Sequence, residues 1–338
     1  SRPEYLKNLS ENHKIIGITG THGKTSTTAL LSHIFHFNNV NVSYLYGGIT
    51  TFNGIGGHYG DPDQPLILET DEAFNTFEKI KISDLLVLNV DSDHLDYFKN
   101  LDNYKDAFYK VMKNVTDNLV INNDDLNIKS MKELKNPVSY GKDIAADFKV
   151  QSPGTFIYEN NKYEIKSDII GDHFKANMLG AIILALLNGI EIKDSLNAIE
   201  SFAGVKRRIE LIGISKGVLI YDDYGHHPTE MEATITALKQ QTESKLYVVF
   251  QPHRYTRTME YFSSFKDSLK LADFAIVTDI YPAGESPIPG ISSKNFEEES
   301  IKYLKSIRYV PEYLSKKVQN GDIVLTLGAG DITLLGPK

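Results

Sequence analysis

Cysteine is absent from the 338 residues. Disulfides, thiolate metal sites and cysteine nucleophiles are therefore excluded, and a reducing compartment is allowed. No apolar run approaches the roughly 20 residues that a membrane helix needs. Ser1-Arg2-Pro3-Glu4-Tyr5 contains no apolar signal core. A cytoplasmic protein away from membranes is the simplest expectation. A basic excess is also missing: the net charge is −8 and Lys and Arg are scattered. This argues against a nucleic-acid surface while leaving room for a local basic pocket. No internal repeat or low-complexity tract is visible.

What is present is an ordinary globular composition, 41% hydrophobic and 24% charged, in a chain too long for one typical core. Two domains are expected, 1–205 and 206–338, with the boundary near Gly204-Val205-Lys206. Strands are predicted over 14–19, 41–45, 65–69, 84–90 and 118–121, alternating with helices over 24–37, 103–114 and 125–134. Such alternation predicts an α/β fold with a mostly parallel sheet. Residues 156–158 and 163–165 flank Glu159-Asn160-Asn161-Lys162 and read as a hairpin on a small antiparallel piece. Helices are then expected over 174–187 and 193–202. A second, smaller Rossmann-like α/β series has strands at 218–221, 246–250, 274–278 and 323–327. Its helices are expected at 229–240, 257–271, 293–304 and 310–317. A nucleotide on the first domain would then face chemistry from the second.

The sharpest local signal runs from Ile15 to Ser26. An apolar strand ends in Gly20-Thr21-His22-Gly23-Lys24-Thr25 and a helix follows at once. This is a phosphate cradle (P-loop): loop N–H groups and the positive helix end face an anion. Gly20 and Gly23 let the backbone bend closely around phosphate. Lys24 is placed for the outer phosphates and the Thr25 hydroxyl for Mg²⁺. The loop is shorter than the common form, because residue 18 is Ile.

Other constellations lie at predicted strand ends. The strand over 65–69 runs into Glu69-Thr70-Asp71-Glu72, and Glu69 is the expected metal ligand. Asp91 to Asp96 follows the next strand, with His94 bracketed by Asp93 and Asp96 as a second candidate ligand. Lys206-Arg207-Arg208 is either an anion clamp or a solvated basic turn. In the second series, Asp222-Asp223-Tyr224-Gly225-His226-His227-Pro228 opens a helix, and Gln251-Pro252-His253-Arg254-Tyr255-Thr256-Arg257 follows the next strand. Tyr281 to Glu285 and Gly328 to Asp331 complete a polar rim. Such a rim suits an amino acid, with Arg on its carboxylate.

These motifs, in this order over nearly the whole chain, resemble those of the Mur ligases, ATP-dependent enzymes that add amino acids to the peptidoglycan precursor. The loops 222–228 and 250–258 are similar to those of the alanine-adding branch. The resemblance implies ATP and Mg²⁺ as cofactors and UDP-N-acetylmuramate and L-alanine as substrates, handled by a monomer or homodimer. It places Gly20, Thr21, His22, Gly23, Lys24, Thr25 and Ser26 on the phosphates. It places Asn177, Arg208 and Asp223 on the nucleotide, and Thr25, Glu69 and His94 on metal. It places Tyr224, His226, Arg254 and Arg257 on L-alanine, and implies catalytic roles for Lys24, His94, Arg208 and His226. The implied chemistry is carboxylate activation as an acyl phosphate, then attack by the alanine amine.

Some features depart from that pattern. Family members carry a UDP-binding domain before the phosphate loop, so this chain corresponds to the central and C-terminal domains. The Gly-x-His-Asn motif reads Gly171-Asp172-His173-Phe174. Ala73-Phe74 stand where Ser-Asp is usual, and the carbamylated lysine of sister ligases has no equivalent, Lys110 being only nearby. Alternatives are a recycling ligase that attaches a peptide, a non-catalytic nucleotide-binding fragment, a folate-polyglutamate ligase and a nucleotide switch. The loop 224–227 does not fit the third. The fourth would need Asn-Lys-x-Asp, and Asn122-Asn123-Asp124-Asp125 lacks the Lys.

Overall fold

A computed structural model describes residues 2–50, 54–92, 95–131 and 134–336. The chain divides into two compact units, Ser1–Val205 and Lys206–Lys338.

The first unit holds a ten-stranded sheet. Its strands are β1 (Ile15–Thr19), β2 (Ser43–Leu45), β3 (Gly57–His58), β4 (Leu66–Glu69), β5 (Asp84–Val87), β6 (Asn118–Asn122), β7 (Val138–Gly141), β8 (Phe148–Ser152), β9 (Thr155–Tyr158) and β10 (Asn161–Glu164). Their order is β10-β9-β8-β7-β6-β5-β1-β4-β2-β3. From β2 to β8 neighbours pair in parallel, and β3, β9 and β10 close the edges antiparallel. β1 lies between β4 and β5 and is fully buried, which suits its unbroken apolar run.

Alternate residues serve opposite faces of this sheet. Leu66, Leu68, Leu85, Val87, Leu119 and Ile121 join one core with Phe77, Tyr104 and Phe108. Helix Leu101–Lys113 contributes Tyr104, Ala107, Phe108, Val111 and Met112 as its buried side. Asn100 caps this helix by accepting from the Asn103 N–H at 2.9 Å. Helix Lys24–Phe37 packs against helix Asp172–Leu187. Thr27, Thr28 and Ser32 are buried on the former, and each hydroxyl donates to the carbonyl four residues back at 2.8 Å.

The second unit has a six-stranded sheet ordered β11-β12-β16-β13-β14-β15. The strands are β11 (Glu210–Ser215), β12 (Val218–Asp223), β13 (Leu246–Phe250), β14 (Phe274–Val277), β15 (Ile301–Tyr303) and β16 (Ile323–Leu327). All pairings are parallel except β11 with β12. The C-terminal ends of β12, β16, β13 and β14 therefore share one edge. Val218, Val249, Ile276 and Val324 pack with Val310, Leu314 and Ile332 on one side. Among the described residues no helix is long and apolar enough to cross a membrane.

The fold class is the predicted one, an α/β protein with a large, mostly parallel sheet and a second sheet. Several local expectations need correction. The hairpin forms as expected, at the antiparallel edge of the large sheet, but its turn is tighter than expected. Glu159 and Asn160 alone turn the chain, both at positive φ (48° and 63°). The helix expected over 293–304 is a short 3₁₀ turn, Ser293–Phe296, followed by β15, where Ile301 is buried beside Ala275. One helix expected over 257–271 is two, Tyr255–Glu260 and Phe262–Leu269, separated at Tyr261. The helix expected over 125–134 is described only as Leu126–Lys129, and residues 132 and 133 lie outside the described residues. Strand β11 and the helix Arg2–Asn12 were not anticipated.

Candidate functional site

In the first unit the loop after β1 leaves the sheet at Gly20 (φ 146°) and enters the helix at Gly23 (φ 86°). A Cβ on Gly20 would sit 3.1 Å from the Asn89 backbone N and O. A Cβ on Gly23 would sit 2.4 Å from the Asn177 Nδ2, so both glycines are required by close approach as well as by φ. Asn89 clamps the loop from the next strand's end. Its Oδ1 accepts from the His22 N–H at 2.8 Å and its Nδ2 donates to the His22 carbonyl at 2.9 Å. The His22 ring lies 3.1 Å from the Asp91 Oδ2. Asn89 was read only as part of a strand. The strand stops at Val87, which frees residue 89 to reach the loop.

Lys24 turns back over this loop. Its Nζ donates to the Gly20 carbonyl at 2.6 Å and the Thr21 carbonyl at 3.1 Å, and pairs with the two Glu72 oxygens at 3.0 and 2.9 Å. Burial opposes its charge, but the carboxylates of Glu72, Asp71 and Glu69 outweigh it and hold its pKa above the ordinary value. Glu72, only 1% exposed, is thus the partner of Lys24, a pairing that the run of three acidic residues did not distinguish.

Glu69 does something different. Its Oε1 accepts from the Thr25 hydroxyl at 2.9 Å and its Oε2 from the Gly47 N–H at 2.7 Å. Thr25 and Glu69 thus bring hard oxygen donors together beside the glycine loop, a donor set that fits Mg²⁺. His94 and Asp93 lie outside the described residues. Ser26 follows Thr25 in the helix's first turn, and Asn177 is buried against Gly23.

In the second unit the loops gather on the shared sheet edge. β16 lies between β12 and β13, so its loop touches both of theirs. Arg207 donates from Nη2 to the Gly328 carbonyl at 2.7 Å and from Nε to Asp222 at 3.2 Å. Gln251 donates to Asp331 at 2.7 Å and accepts from the Ile332 N–H at 3.1 Å. Asp222 also accepts from Thr326 at 2.5 Å and Thr333 at 2.7 Å, which makes it the anchor of this edge.

The Tyr224 ring carries the guanidinium of Arg207 at 4.9 Å and that of Arg208 at 5.2 Å. Asp223 is 4% exposed and accepts from the Ile209 and Gly225 N–H groups at 2.8 and 2.7 Å. Burial pushes its pKa up to about 6, against the opposing pull of Arg208 and these N–H groups. The His226 ring stands 5.3 Å from Tyr224 and 6.0 Å from His253. His227 and Glu230 form a capping box for the helix Pro228–Lys239.

Arg254 has φ 73° and donates from Nε to Glu285 at 2.7 Å. Glu285 also accepts from the Thr256 N–H at 3.0 Å and hydroxyl at 2.6 Å. With Nε so held, the terminal nitrogens of Arg254 keep their fork for a ligand carboxylate. The side chain of Arg257, one helical turn on, makes no hydrogen bond or ion pair among the described residues. His253 stacks on Tyr281 at 5.5 Å; burial, then His226, Arg257 and Arg254, depress its pKa to about 4. The rim therefore presents cations and a neutral imidazole.

Asp223 gives a pH test. Its folded pKa of about 6 exceeds the ordinary value of 3.8, so the folded state takes up the proton first as pH falls. Relative to Asp223→Asn, the wild type gains stability from about pH 7 downward, by up to about 3 kcal/mol once pH is below 4. Chemical unfolding of both proteins across that window checks it; a flat difference would mean that Asp223 titrates normally.

The sequence matches the Mur ligase middle domain over residues 18–185 and the Mur ligase glutamate ligase domain over residues 207–330. It is 37% identical to a protein of Dictyoglomus turgidum named UDP-N-acetylmuramate–L-alanine ligase, over 99% of this chain and 76% of that one. A protein of the same name from Caldicellulosiruptor saccharolyticus is 36% identical, over 98% and 77%. Among solved structures, the UDP-N-acetylmuramate–alanine ligase of Thermotoga maritima superposes with a TM-score of 0.81 at 24% identity, covering 99% of this chain and 77% of that one. The MurF ligase of Thermotoga maritima in complex with ADP gives 0.74 at 20% identity, over 99% and 82%.

Proposed function

The chain belongs to the Mur ligase family, and from that premise we propose that it joins L-alanine to the carboxylate of UDP-N-acetylmuramate at the expense of ATP. The enzyme is an ATP-dependent, amide-forming ligase of peptidoglycan precursor synthesis. The observation that carries the nucleotide reading is Lys24, held over a glycine loop at a helix start with Thr25 and Glu69 adjacent. The observation that favours a small amino acid over a peptide is the pair Arg254 and Arg257 on the rim of the second sheet.

On this reading Lys24 leaves Glu72 for the outer phosphates, and the N–H groups of the loop hold the rest of the charge. Thr25 and Glu69 would hold Mg²⁺, which neutralises phosphate charge when bound. The muramoyl carboxylate attacks the γ-phosphorus and ADP leaves; the alanine amine then displaces phosphate from the acyl phosphate and loses a proton. Arg254 and Arg257 orient the alanine carboxylate, and Tyr224 and His226 line the amine's approach. Arg208 and Asp223 support this loop through Tyr224 and Ile209, and Asn177 supports the phosphate loop through Gly23. His94 is proposed as a further metal ligand. A cytoplasmic setting follows from the substrates.

The direct test is phosphate release with ATP, Mg²⁺ and UDP-N-acetylmuramate, with L-alanine, other amino acids and the tripeptide run in parallel. Release that requires L-alanine is expected; release driven by the tripeptide would move the assignment to a recycling ligase. Arg257→Lys should raise KM for L-alanine at least about tenfold while KM for ATP changes little, because a planar clamp becomes a point charge. Equal shifts for both substrates would place Arg257 on the phosphates instead.

A further inference from the structure

We infer that Tyr104, which belongs to none of the motifs above, is a positioning residue of the nucleotide site: it holds Glu72 in place when Lys24 leaves it for phosphate. The inference rests on the phosphate-loop reading and adds a residue to it.

Tyr104 lies on the first helical turn after Asn100 and is 0% exposed. Its ring packs edge-on to Phe98 at 5.0 Å and tilted against Phe108 at 5.1 Å, in the core of the large sheet. Its hydroxyl, however, lies at the end of that core. The Tyr104 Oη donates to Glu72 Oε1 at 3.3 Å and lies 3.0 Å from the Thr21 Oγ1. Having spent its one proton on Glu72, it accepts from Thr21. The Thr21 oxygen in turn accepts from the Asp91 N–H at 2.8 Å. A one-way hydrogen-bond chain results: Asp91 N–H to Thr21, Thr21 to Tyr104, Tyr104 to Glu72, where the Lys24 ammonium also donates at 3.0 Å. Such chains strengthen each member, because each donor is polarised by the next.

Glu72 is the critical member. A carboxylate that is 1% exposed requires compensation, and without ligand Lys24 supplies most of it. Phosphate binding draws the ammonium towards the new anion. Tyr104 then remains as a donor to Glu72, so its hydroxyl matters more with nucleotide bound than without. Removing that hydroxyl should weaken ATP binding although Tyr104 lies on the core side of the loop. Tyr104→Phe is the suitable variant, since it keeps the ring and its packing against Phe98 and Phe108. Thr21 retains an alternative acceptor, the Asp91 carbonyl at 3.2 Å.

The experiment is calorimetric titration of MgATP into the wild type, Tyr104→Phe, Glu72→Gln and the double variant, with Lys24→Ala alongside and a thermal melt of each. Tyr104→Phe is expected to bind ATP about tenfold more weakly, as for loss of one hydrogen bond to a buried charge. In the Glu72→Gln background the same change should alter affinity less than about twofold, because the charge it serves is gone. A merely structural hydroxyl would give the same loss in both backgrounds, and that result overturns the inference. So does unchanged affinity in Tyr104→Phe while Lys24→Ala loses binding. If Lys24→Ala binds ATP as the wild type does, the nucleotide reading itself fails, and the inference with it.

Discussion

Lys24→Ala should reduce ATP-dependent phosphate release by at least about a thousandfold, in line with loss of a charge that stabilises phosphoryl transfer. It should also lower stability. Lys24 donates to the Gly20 and Thr21 carbonyls and neutralises Glu72. Its removal leaves a carboxylate that is 1% exposed without its cation. Breaking a buried pair from one side costs about 3–5 kcal/mol. Loss of activity alone is therefore ambiguous between missing chemistry and a damaged loop. Lys24→Met combined with Glu72→Gln resolves it, because the buried charge is removed together with its partner. That double variant should recover most of the unfolding free energy measured in urea while phosphate release stays absent. Recovery of turnover with stability would mean that Lys24 serves only to neutralise Glu72, and the phosphate-loop assignment would fall.

The pairing of Lys24 with Glu72 also marks how far the sequence could be read. Ile15 to Ser26 announced its strand, loop and helix because each local preference agreed: an apolar run, two glycines at positive φ, then helix formers. Strands β13 and β16 were equally legible, being largely apolar runs that the sheet buries throughout. Glu69 stood out as the candidate metal ligand, but no pattern assigned Glu72 to Lys24. Glu69 ends β4, and only the backbone after it decides that one carboxylate meets Thr25 and the other Lys24. Tyr104 illustrates a further limit, since its helical spacing with Phe108 and Val111 marks it as core, which it is. Nothing in that spacing shows that its hydroxyl reaches Thr21 across 83 residues of sequence. In the second unit a helix was expected over 293–304, whereas Ile301 buried beside β14 makes a strand. Here burial against a neighbour outweighed intrinsic propensity. The rim loops were read correctly as following strand ends, but their contacts depend on β16 lying between β12 and β13, which no local pattern encodes.

Gly23→Ala carries the second large effect and separates two ways in which a phosphate loop can fail. Gly23 has φ 86° and ψ −3° and stands immediately before the helix whose N-terminal N–H groups are proposed to hold phosphate. An alanine in this left-handed conformation costs about 1–2 kcal/mol before any contact is considered. Its Cβ would also meet the Asn177 Nδ2 at 2.4 Å and the Leu88 Cδ1 at 3.4 Å. Asn177 is buried on a helix that packs against the helix Lys24–Phe37, so it has little room to withdraw. The loop must therefore shift, and the N–H groups proposed to hold phosphate are displaced. ATP affinity should fall by more than about a hundredfold, equivalent to about 2.7 kcal/mol, with a lower thermal midpoint. Asn177→Ala introduced into Gly23→Ala removes the contact but not the backbone strain. If the contact dominates, the double variant should regain most of the lost stability and part of the ATP affinity. If φ dominates, the double variant should be no better than Gly23→Ala. Unchanged ATP binding in Gly23→Ala itself would show that phosphate is not held by this loop.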